Sequence, residues 1–187
     1  MTRWWPPVGL AAMVLLGGAV RHGTTPIDAW FGHLGRELGR PLRRAFLYFT
    51  EPWLVAGVLL AVIAVALYRG QRWFALAAAI SPPVAVLLAQ AFKRIFGRYR
   101  GDALAYPSGH TAFLVATLCL LVVAAGFALW AVAAAALLGL LGMFGQAITH
   151  HYFTDTVGAA LLATSVVGVA VIVLDRCQPR CDVGHKP

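Results

Sequence analysis

The fold is decided by residues 111–148, whose sequence is TAFLVATLCLLVVAAGFALWAVAAAALLGLLGMFGQAI. These 38 positions carry no Asp, Glu, Lys or Arg. A helix needs about 20 apolar residues to cross a bilayer. The stretch is therefore about twice as long as one span, and we predict two spans, 111–129 and 130–148, with a tight reversal near Gly126.

The composition of the whole chain agrees with a membrane location. Of its 187 residues, 60% are apolar and 12% are charged, whereas about 25% of a soluble domain is charged. We therefore expect one integral membrane domain, 1–187, surrounded by the lipid bilayer and ending in a polar tail, 175–187. The net charge of +8 is spread between apolar stretches rather than over one soluble face, so we expect no nucleic acid as a partner.

Four further uncharged stretches extend this pattern along the chain. The segment between the predicted spans 4–20 and 52–68 differs, because apolar side chains recur there at helical spacing and alternate with arginines. Such a pattern is typical of an amphipathic helix in the membrane interface. The predicted fold class is all-α, a bundle of six transmembrane helices with an amphipathic interfacial helix between the first and second spans. The remaining spans are 4–20, 52–68, 73–92 and 156–174, and the arginines are Arg36, Arg40, Arg43 and Arg44.

Six spans place both termini on one face and the connections 21–51, 93–110 and 149–155 on the other. Lys and Arg number six on the first face and nine on the second, which would put the second face in the cytoplasm. Without the four basic residues of 93–100, which suit an anion, the second count is nine minus four, or five. Charge therefore does not decide the orientation.

A cluster of cations follows the third span. Lys93, Arg94, Arg98 and Arg100 lie within eight positions, and their donors match the charge and geometry of a phosphate group. The alternative is a basic loop whose side chains only reach the interface and set the topology.

The sequence Tyr106-Pro107-Ser108-Gly109-His110 precedes the fourth span. Pro107 and Gly109 favour a turn, and backbone N–H groups at the start of the next helix attract an anion. Ser108 adds a hydroxyl donor, and His110 can deliver a proton near neutral pH. The alternative is a helix cap beside an interfacial histidine.

The sequence His150-His151-x3-Asp155 leads into the sixth span. Residues i and i+4 share a helical face, so Asp155 can hold the proton of one ring nitrogen of His151 and leave the other as a nucleophile. A metal site is the alternative, with His110 and His150 as further ligands. The nearby cations would repel a metal ion, so we expect neither a metal nor another cofactor.

Together these three groups make a site for phosphoryl transfer. They resemble the motifs of the type 2 phosphatidic-acid phosphatase superfamily, which are Lys-x6-Arg-Pro, Pro-Ser-Gly-His and Ser-Arg-x5-His-x3-Asp. The resemblance implies that His151 becomes phosphorylated while Asp155 orients it, and that His110 protonates the leaving oxygen. It also implies a set of phosphate ligands, which are Lys93, Arg100, Ser108 and the Gly109 amide.

The sequence departs from this pattern in two of the motifs. Gly101 stands where the family has proline, and Phe144-Gly145 stand where it has Ser-Arg, so one phosphate-binding guanidinium is missing. We predict that Arg98 replaces it, since it lies two residues before Arg100, with His150 as the rival. Arg94 and Gln146 are the other candidates.

The expected function is hydrolysis of a lipid phosphate through phosphohistidine in the cell (plasma or inner) membrane. Phosphatidic acid, phosphatidylglycerol phosphate and polyprenyl phosphate or diphosphate are the candidate substrates. We expect the active site on the face opposite both termini, on the extracytoplasmic side. A head-group phosphotransferase is an alternative, because the His-His-Tyr-Phe-x-Asp run is also similar to inositol phosphorylceramide synthases. A non-catalytic membrane protein is a third possibility, and the role of Cys177 and Cys181 and the oligomeric state stay open.

Overall fold

The computed structural model describes residues 3–177, and the end of the polar tail, including Cys181, lies outside the described residues. Helices make up nearly all of the described chain, as expected for an all-α fold. The elements are α1 Trp5–Val20, α2 Pro26–Glu37, α3 Arg40–Leu47, a 3-10 turn Tyr48–Thr50, α4 Pro52–Tyr68, α5 Arg72–Phe96, β1 Tyr99–Arg100, β2 Ala103–Leu104, α6 Gly109–Ala124, α7 Leu129–Thr149 and α8 Phe153–Cys177. The two short strands pair antiparallel as a hairpin between α5 and α6.

All six predicted spans fall on helices, but these helices differ in length. Four segments of the described chain are long and apolar enough to cross a membrane: Arg40–Tyr68, Arg72–Phe96, Leu129–Thr149 and Phe153–Arg176. The other two apolar helices, α1 and α6, have 16 residues each. At about 1.5 Å per residue they are roughly 24 Å long, which is less than the ~30 Å hydrocarbon core. The protein is thus a multi-pass membrane protein with four segments of full spanning length in the described region, one of which joins α3, the 3-10 turn and α4.

The reversal between α6 and α7 lies where the apolar run predicted it. Gly126 has a φ of 62° and Phe127 a φ of 61°, so the chain leaves the helical conformation at these two positions. The N–H groups of Gly126 and Phe127 donate to carbonyls in the last turn of α6. Arg69, at the α4–α5 turn, donates to the Ala124 carbonyl at 2.9 Å and joins the two reversals.

The prediction of one continuous amphipathic helix between the first and second spans is wrong, because the segment forms two helices. The segment forms α2 and α3, which are separated at Leu38 and Gly39. Pro41 explains the break, because proline inside one continuous helix would remove a hydrogen bond and clash with the preceding turn. Both helices pack on α7, where glycine permits close approach. A Cβ at Gly35 would collide with the Ile148 backbone.

Aromatic rings fix α2 and α3 to the end of the bundle. Phe31 of α2 stacks on Phe153 of α8 with ring centroids 4.6 Å apart. Phe46 of α3 meets Phe144 of α7 edge to face at 4.9 Å. Phe31 and Phe46 are therefore half-buried against protein, whereas Trp30 and Leu42 of the same segment stay exposed.

The first and last helices run antiparallel through the core. Pro6 near the start of α1 lies beside Gly168, and Gly9 lies beside Ser165 of α8. Tyr106 is fully buried where Gly17 and Gly158 leave room for its ring, and its hydroxyl donates to the Met13 carbonyl at 2.5 Å. This packing puts the start of α1 and the end of α8 at one end of the bundle. The connections α1–α4, α5–α6 and α7–α8 gather at the other end.

Candidate active site

Hydrogen bonds join the polar connections at one end of the bundle. The Ser108 N–H, ahead of α6, donates to the Asp155 carbonyl in the first turn of α8 at 3.2 Å. Arg100 in β1 donates from Nη1 to the Ala147 carbonyl of α7 at 3.4 Å. The three groups of residues recognised in the sequence therefore lie in one place.

His151 lies in the bend between α7 and α8 with its side chain buried. Its Nδ1 is 3.6 Å from Oδ2 of Asp155 and has no hydrogen-bond partner among residues 3–177. The predicted pairing is thus present as a contact slightly longer than a hydrogen bond, although His151 precedes α8 and does not share a helical face with Asp155. Apo distances of this kind often shorten in a substrate complex.

Asp155 is fully buried, and both of its carboxylate oxygens accept hydrogen bonds. Oδ2 accepts from the Tyr152 N–H at 2.9 Å, which caps the start of α8. Oδ1 accepts from Nη1 of Arg98 at 2.7 Å. These bonds fix the carboxylate in the orientation that faces His151.

The prediction that Arg98 binds substrate phosphate does not agree with its position. Arg98 is only 2% exposed, and Nη1 also donates to the Thr154 hydroxyl at 2.6 Å. Its Nη2 donates to Oδ2 of Asp28 at 2.8 Å and to the Gly23 carbonyl at 2.9 Å. Two buried carboxylates need a cation for charge balance, so both terminal nitrogens are committed within the protein.

Asp28 of α2 is a buried residue that the sequence analysis missed. Besides Arg98 it accepts hydrogen bonds from the Thr154 N–H at 2.9 Å and from the Thr25 N–H at 3.2 Å. Burial raises the pKa of Asp28, but the hydrogen bonds from Thr154 and Arg98 outweigh burial and hold the pKa below its ordinary value. The capping box of Thr25 and Asp28 was visible in the sequence, but the contact with α8 was not.

Lys93 and Arg100 carry positive charge at the edge of the site. Lys93 lies in the last turn of α5, half-buried, and the charge of Asp155 acts on it. The guanidinium of Arg100 lies over the Tyr152 ring, 5.0 Å from its centroid. Burial lowers the pKa of Arg100, and the charges of Tyr152 and Asp155 partly offset that effect. Neither cation is neutralised by a salt bridge within residues 3–177, unlike Arg98.

The turn before α6 places three predicted residues at a helix N-terminus. Ser108 is the fully buried N-cap, and its Oγ accepts from the Thr111 N–H at 3.4 Å, so its hydroxyl proton is left to donate elsewhere. Gly109 begins the helix, where N–H groups have no partner inside the helix and favour an anion. His110 follows with an exposed side chain, within electrostatic range of His151, His150 and Lys93.

At Phe144 and Gly145, where the family motif has Ser-Arg, α7 packs closely on α3. A Cβ at Gly145 would collide with the Phe46 carbonyl oxygen and the Leu47 nitrogen. Gln146 is buried, and its Nε2 donates to the Thr50 hydroxyl at 2.7 Å, so this nitrogen is already used. The missing guanidinium is therefore replaced by packing of backbone on backbone.

His150 is the other predicted substitute for that guanidinium. It caps the C-terminus of α7 with an exposed side chain. Although much of the side chain is exposed, partial burial of its ring lowers the pKa of His150, and nearby His151 and Arg100 lower it further. The imidazole is thus mainly neutral at neutral pH, which makes it a weak replacement for an arginine. Across residues 3–177, no three His, Cys, Asp or Glu side chains come together in a group that could hold a metal ion.

A protein of known structure shares this architecture. The crystal structure of a transmembrane phosphatidylglycerolphosphate phosphatase of the PAP2 type from Bacillus subtilis matches with a TM-score of 0.75 and 16% sequence identity, over 95% of this chain and 99% of that chain. No protein-family model matches the sequence, and no curated protein matches it. The resemblance to the type 2 phosphatidic-acid phosphatases is thus confirmed for the fold.

Proposed function

We propose that this protein is an integral membrane lipid phosphatase that forms a phosphohistidine on His151. The observation that carries the proposal is the contact of Nδ1 of His151 with a carboxylate that is itself held in place, at 3.6 Å. Asp155 keeps the proton on Nδ1, so that Nε2 presents its lone pair to the substrate, and it stabilises the imidazolium form that attack produces. A purely structural role would not require a histidine at position 151.

The reaction takes place in two steps. Nε2 of His151 attacks phosphorus, the bond from phosphorus to the lipid oxygen breaks, and His110 gives its proton to that oxygen. Water then attacks the phosphohistidine, the nitrogen–phosphorus bond breaks, and His110 takes the proton from water. Lys93, Arg100, the Ser108 hydroxyl and the Gly109 amide hold the phosphate oxygens, and their positive charge stabilises both transition states. No step needs a metal ion.

The substrates that suit this site are phosphate esters of membrane lipids. We propose phosphatidic acid, phosphatidylglycerol phosphate, and polyprenyl phosphate or diphosphate. The structural counterpart is named for the second of these. All of them present a phosphate group at the membrane surface, which is where the polar end of the bundle would meet the head-group layer.

We also propose that α1 and α6 cross the membrane, so that the fold has six spans and the site lies on the extracytoplasmic face. Both helices pack against α8, and a bilayer can thin locally around short spans at modest cost. Asp102 and Gln71 are exposed in connections at opposite ends of the bundle. In intact cells, a membrane-impermeant maleimide should label Asp102→Cys above the wild-type background and should leave Gln71→Cys unlabelled. The reverse pattern would invert the orientation.

A phosphate-release assay tests the catalytic proposal. Purified protein in EDTA should release inorganic phosphate from at least one of these lipids, and His151→Ala should abolish the release. His33→Ala is the matched control, because His33 is exposed on α2 and its one salt bridge within the described residues is to Glu37. Release by His151→Ala at the wild-type rate, or no release by the wild type from any substrate, would refute the proposal.

Head-group transfer is the second candidate, supported by the His150-His151-Tyr152-Phe153-x-Asp155 run. It uses the same nucleophile but replaces water with a lipid alcohol in the second step. The same assay distinguishes the two when diacylglycerol or another lipid alcohol is added as acceptor. Product that forms only with an acceptor supports transfer, whereas phosphate release at a similar rate without one supports hydrolysis.

A further inference from the structure

The backbone of α3 occupies the place where a side chain at position 145 would begin. A Cβ on Gly145 would meet the Phe46 carbonyl and the Leu47 nitrogen, and the neighbouring rings of Phe46 and Phe144 lock this contact. A side chain from α7 therefore cannot reach the phosphate from this position. The same packing brings α3 itself to the edge of the site.

Arg43 is the residue of α3 that faces this edge. It lies three positions before Phe46, so both share the face of α3 that packs on α7. Arg43 is half-buried, whereas Arg40 and Arg44 on either side of that face are exposed. Its charge acts on His150, the neighbour of the proposed nucleophile.

The guanidinium of Arg43 has an unused donor. Its Nε is shielded from solvent and has no hydrogen-bond partner among residues 3–177. A buried N–H without a partner is costly and therefore uncommon. The Nε of Arg98 also lacks a partner, but the terminal nitrogens of Arg98 are paired with Asp28 and Asp155. The terminal nitrogens of Arg43 are not among the solvent-shielded atoms, and no salt bridge or hydrogen bond from them is found in the described part of the chain. Arg43 is thus a cation available to an external anion.

We infer that Arg43 binds the substrate phosphate and supplies, from α3, the guanidinium that α7 lacks. This assignment rests on the proposed phosphatase function. A phosphate monoester has up to two negative charges, and further charge density develops on its oxygens during transfer. Lys93 and Arg100 match the first two charges. Arg43 adds a planar donor that can make two parallel hydrogen bonds to one phosphate.

A purely structural role is the alternative for Arg43. It lies near the C-terminus of α7, where a cation interacts favourably with the helix dipole. That role predicts an effect on unfolding and none on the affinity for a phosphate analogue. The experiment therefore measures catalysis, orthovanadate binding and thermal unfolding on the same full-length preparations.

Four proteins are compared: wild type, Arg43→Ala, Arg43→Lys and Arg44→Ala. Arg44→Ala is the matched control, because it removes an exposed arginine from the neighbouring position of α3. With phosphatidic acid in mixed micelles, we expect Arg43→Ala to lower kcat/KM about 10²–10³-fold, as for loss of one transition-state donor. Orthovanadate affinity should fall with it, and the unfolding midpoint should stay near that of wild type. Arg43→Lys should recover part of both, and guanidinium chloride at millimolar concentration should partly restore Arg43→Ala.

The outcomes separate the two proposals. Unchanged kcat/KM and unchanged orthovanadate affinity in Arg43→Ala, with an active wild type, would overturn the assignment of Arg43. A lower unfolding midpoint with unchanged orthovanadate affinity would assign Arg43 to structure and would overturn it as well. A wild type that releases no phosphate from any lipid overturns the proposed function. Direct binding of orthovanadate still tests Arg43 in that case.

Discussion

Replacing Asp28 by Asn should destabilise the protein strongly although Asp28 is far from the nucleophile in sequence. The change keeps the shape of the side chain but removes the charge that faces Arg98 at 2.8 Å. It also weakens the bonds accepted from the Thr154 N–H and hydroxyl at 2.9–3.1 Å. A hydrogen bond to a charged group contributes about 1.5–3 kcal/mol, and breaking a buried ion pair costs about 3–5 kcal/mol. We expect a loss of roughly 3 kcal/mol, because Asp155 still pairs with Arg98 in the variant.

Thermal unfolding in detergent measures this loss. For a chain of this size 1 kcal/mol corresponds to about 2–4 °C, so the midpoint should fall by about 6–12 °C. The matched control is Asp102→Asn, which removes an exposed carboxylate from the β-hairpin. A midpoint for Asp28→Asn within about 1 °C of the control would refute the idea that α2 is held to α8 by this charge.

The pH dependence gives an independent check on the same residue. The pKa of Asp28 is lower in the folded protein than its ordinary value of 3.8. Its contribution to stability is therefore fully present above pH 3.8 and is lost as the pH falls through the lower folded pKa. The difference in midpoint between wild type and Asp28→Asn should be constant from pH 8 to about pH 5 and should shrink only in stronger acid. A difference that disappears between pH 7 and pH 6 would point to a histidine instead.

Three further predictions concern the site. Asp155→Asn should lower the rate of phosphate release by up to about 10⁴-fold, because the orientation of the His151 ring is no longer controlled. It should also lower the unfolding midpoint, because Arg98 loses a partner. A variant with the wild-type midpoint and the wild-type rate would contradict both expectations. In parallel release assays, His110→Ala should slow hydrolysis of a lipid monophosphate far more than hydrolysis of a polyprenyl diphosphate. The leaving group is an alkoxide in the first case and a phosphate in the second. Equal losses of rate would make His110 a phosphate ligand instead of an acid. Gly145→Ala should lower the free energy of unfolding by about 1–3 kcal/mol, because the added methyl group overpacks against Phe46. The control is Gly57→Ala, where a Cβ meets open space. Equal unfolding midpoints for the two variants would show that α3 can move away.

The positions of the helices were predictable from the sequence, because uncharged runs and helix breakers are local signals. Gly126 and the start of α6 at Gly109 follow from such signals. The convergence of the three motif segments was also predictable, since a count of spans places them at one end. The pairing of His151 with Asp155 was anticipated from their spacing, although a bend rather than a helical face brings them together.

The errors lie where distant parts of the chain meet. Arg98 and Asp28 are 70 positions apart, and nothing local to either one marks them as partners. A count of basic residues treats Arg98 like Arg100, although one is enclosed by carboxylates and the other is not. In the same way, the arginine pattern of 36–44 predicts a helix on a lipid surface and cannot reveal that Gly35 and Gly145 admit it onto α7. Residue spacing predicts which side chains share a helix face, but tertiary packing determines which residues that face contacts.

The contact of Gly145 with the backbone of α3 restricts which residues fit at position 145. An arginine there would require α3 to withdraw and the rings of Phe46 and Phe144 to separate. The present arrangement is therefore separated from the Ser-Arg arrangement by several concerted changes, and intermediates between the two would be poorly packed.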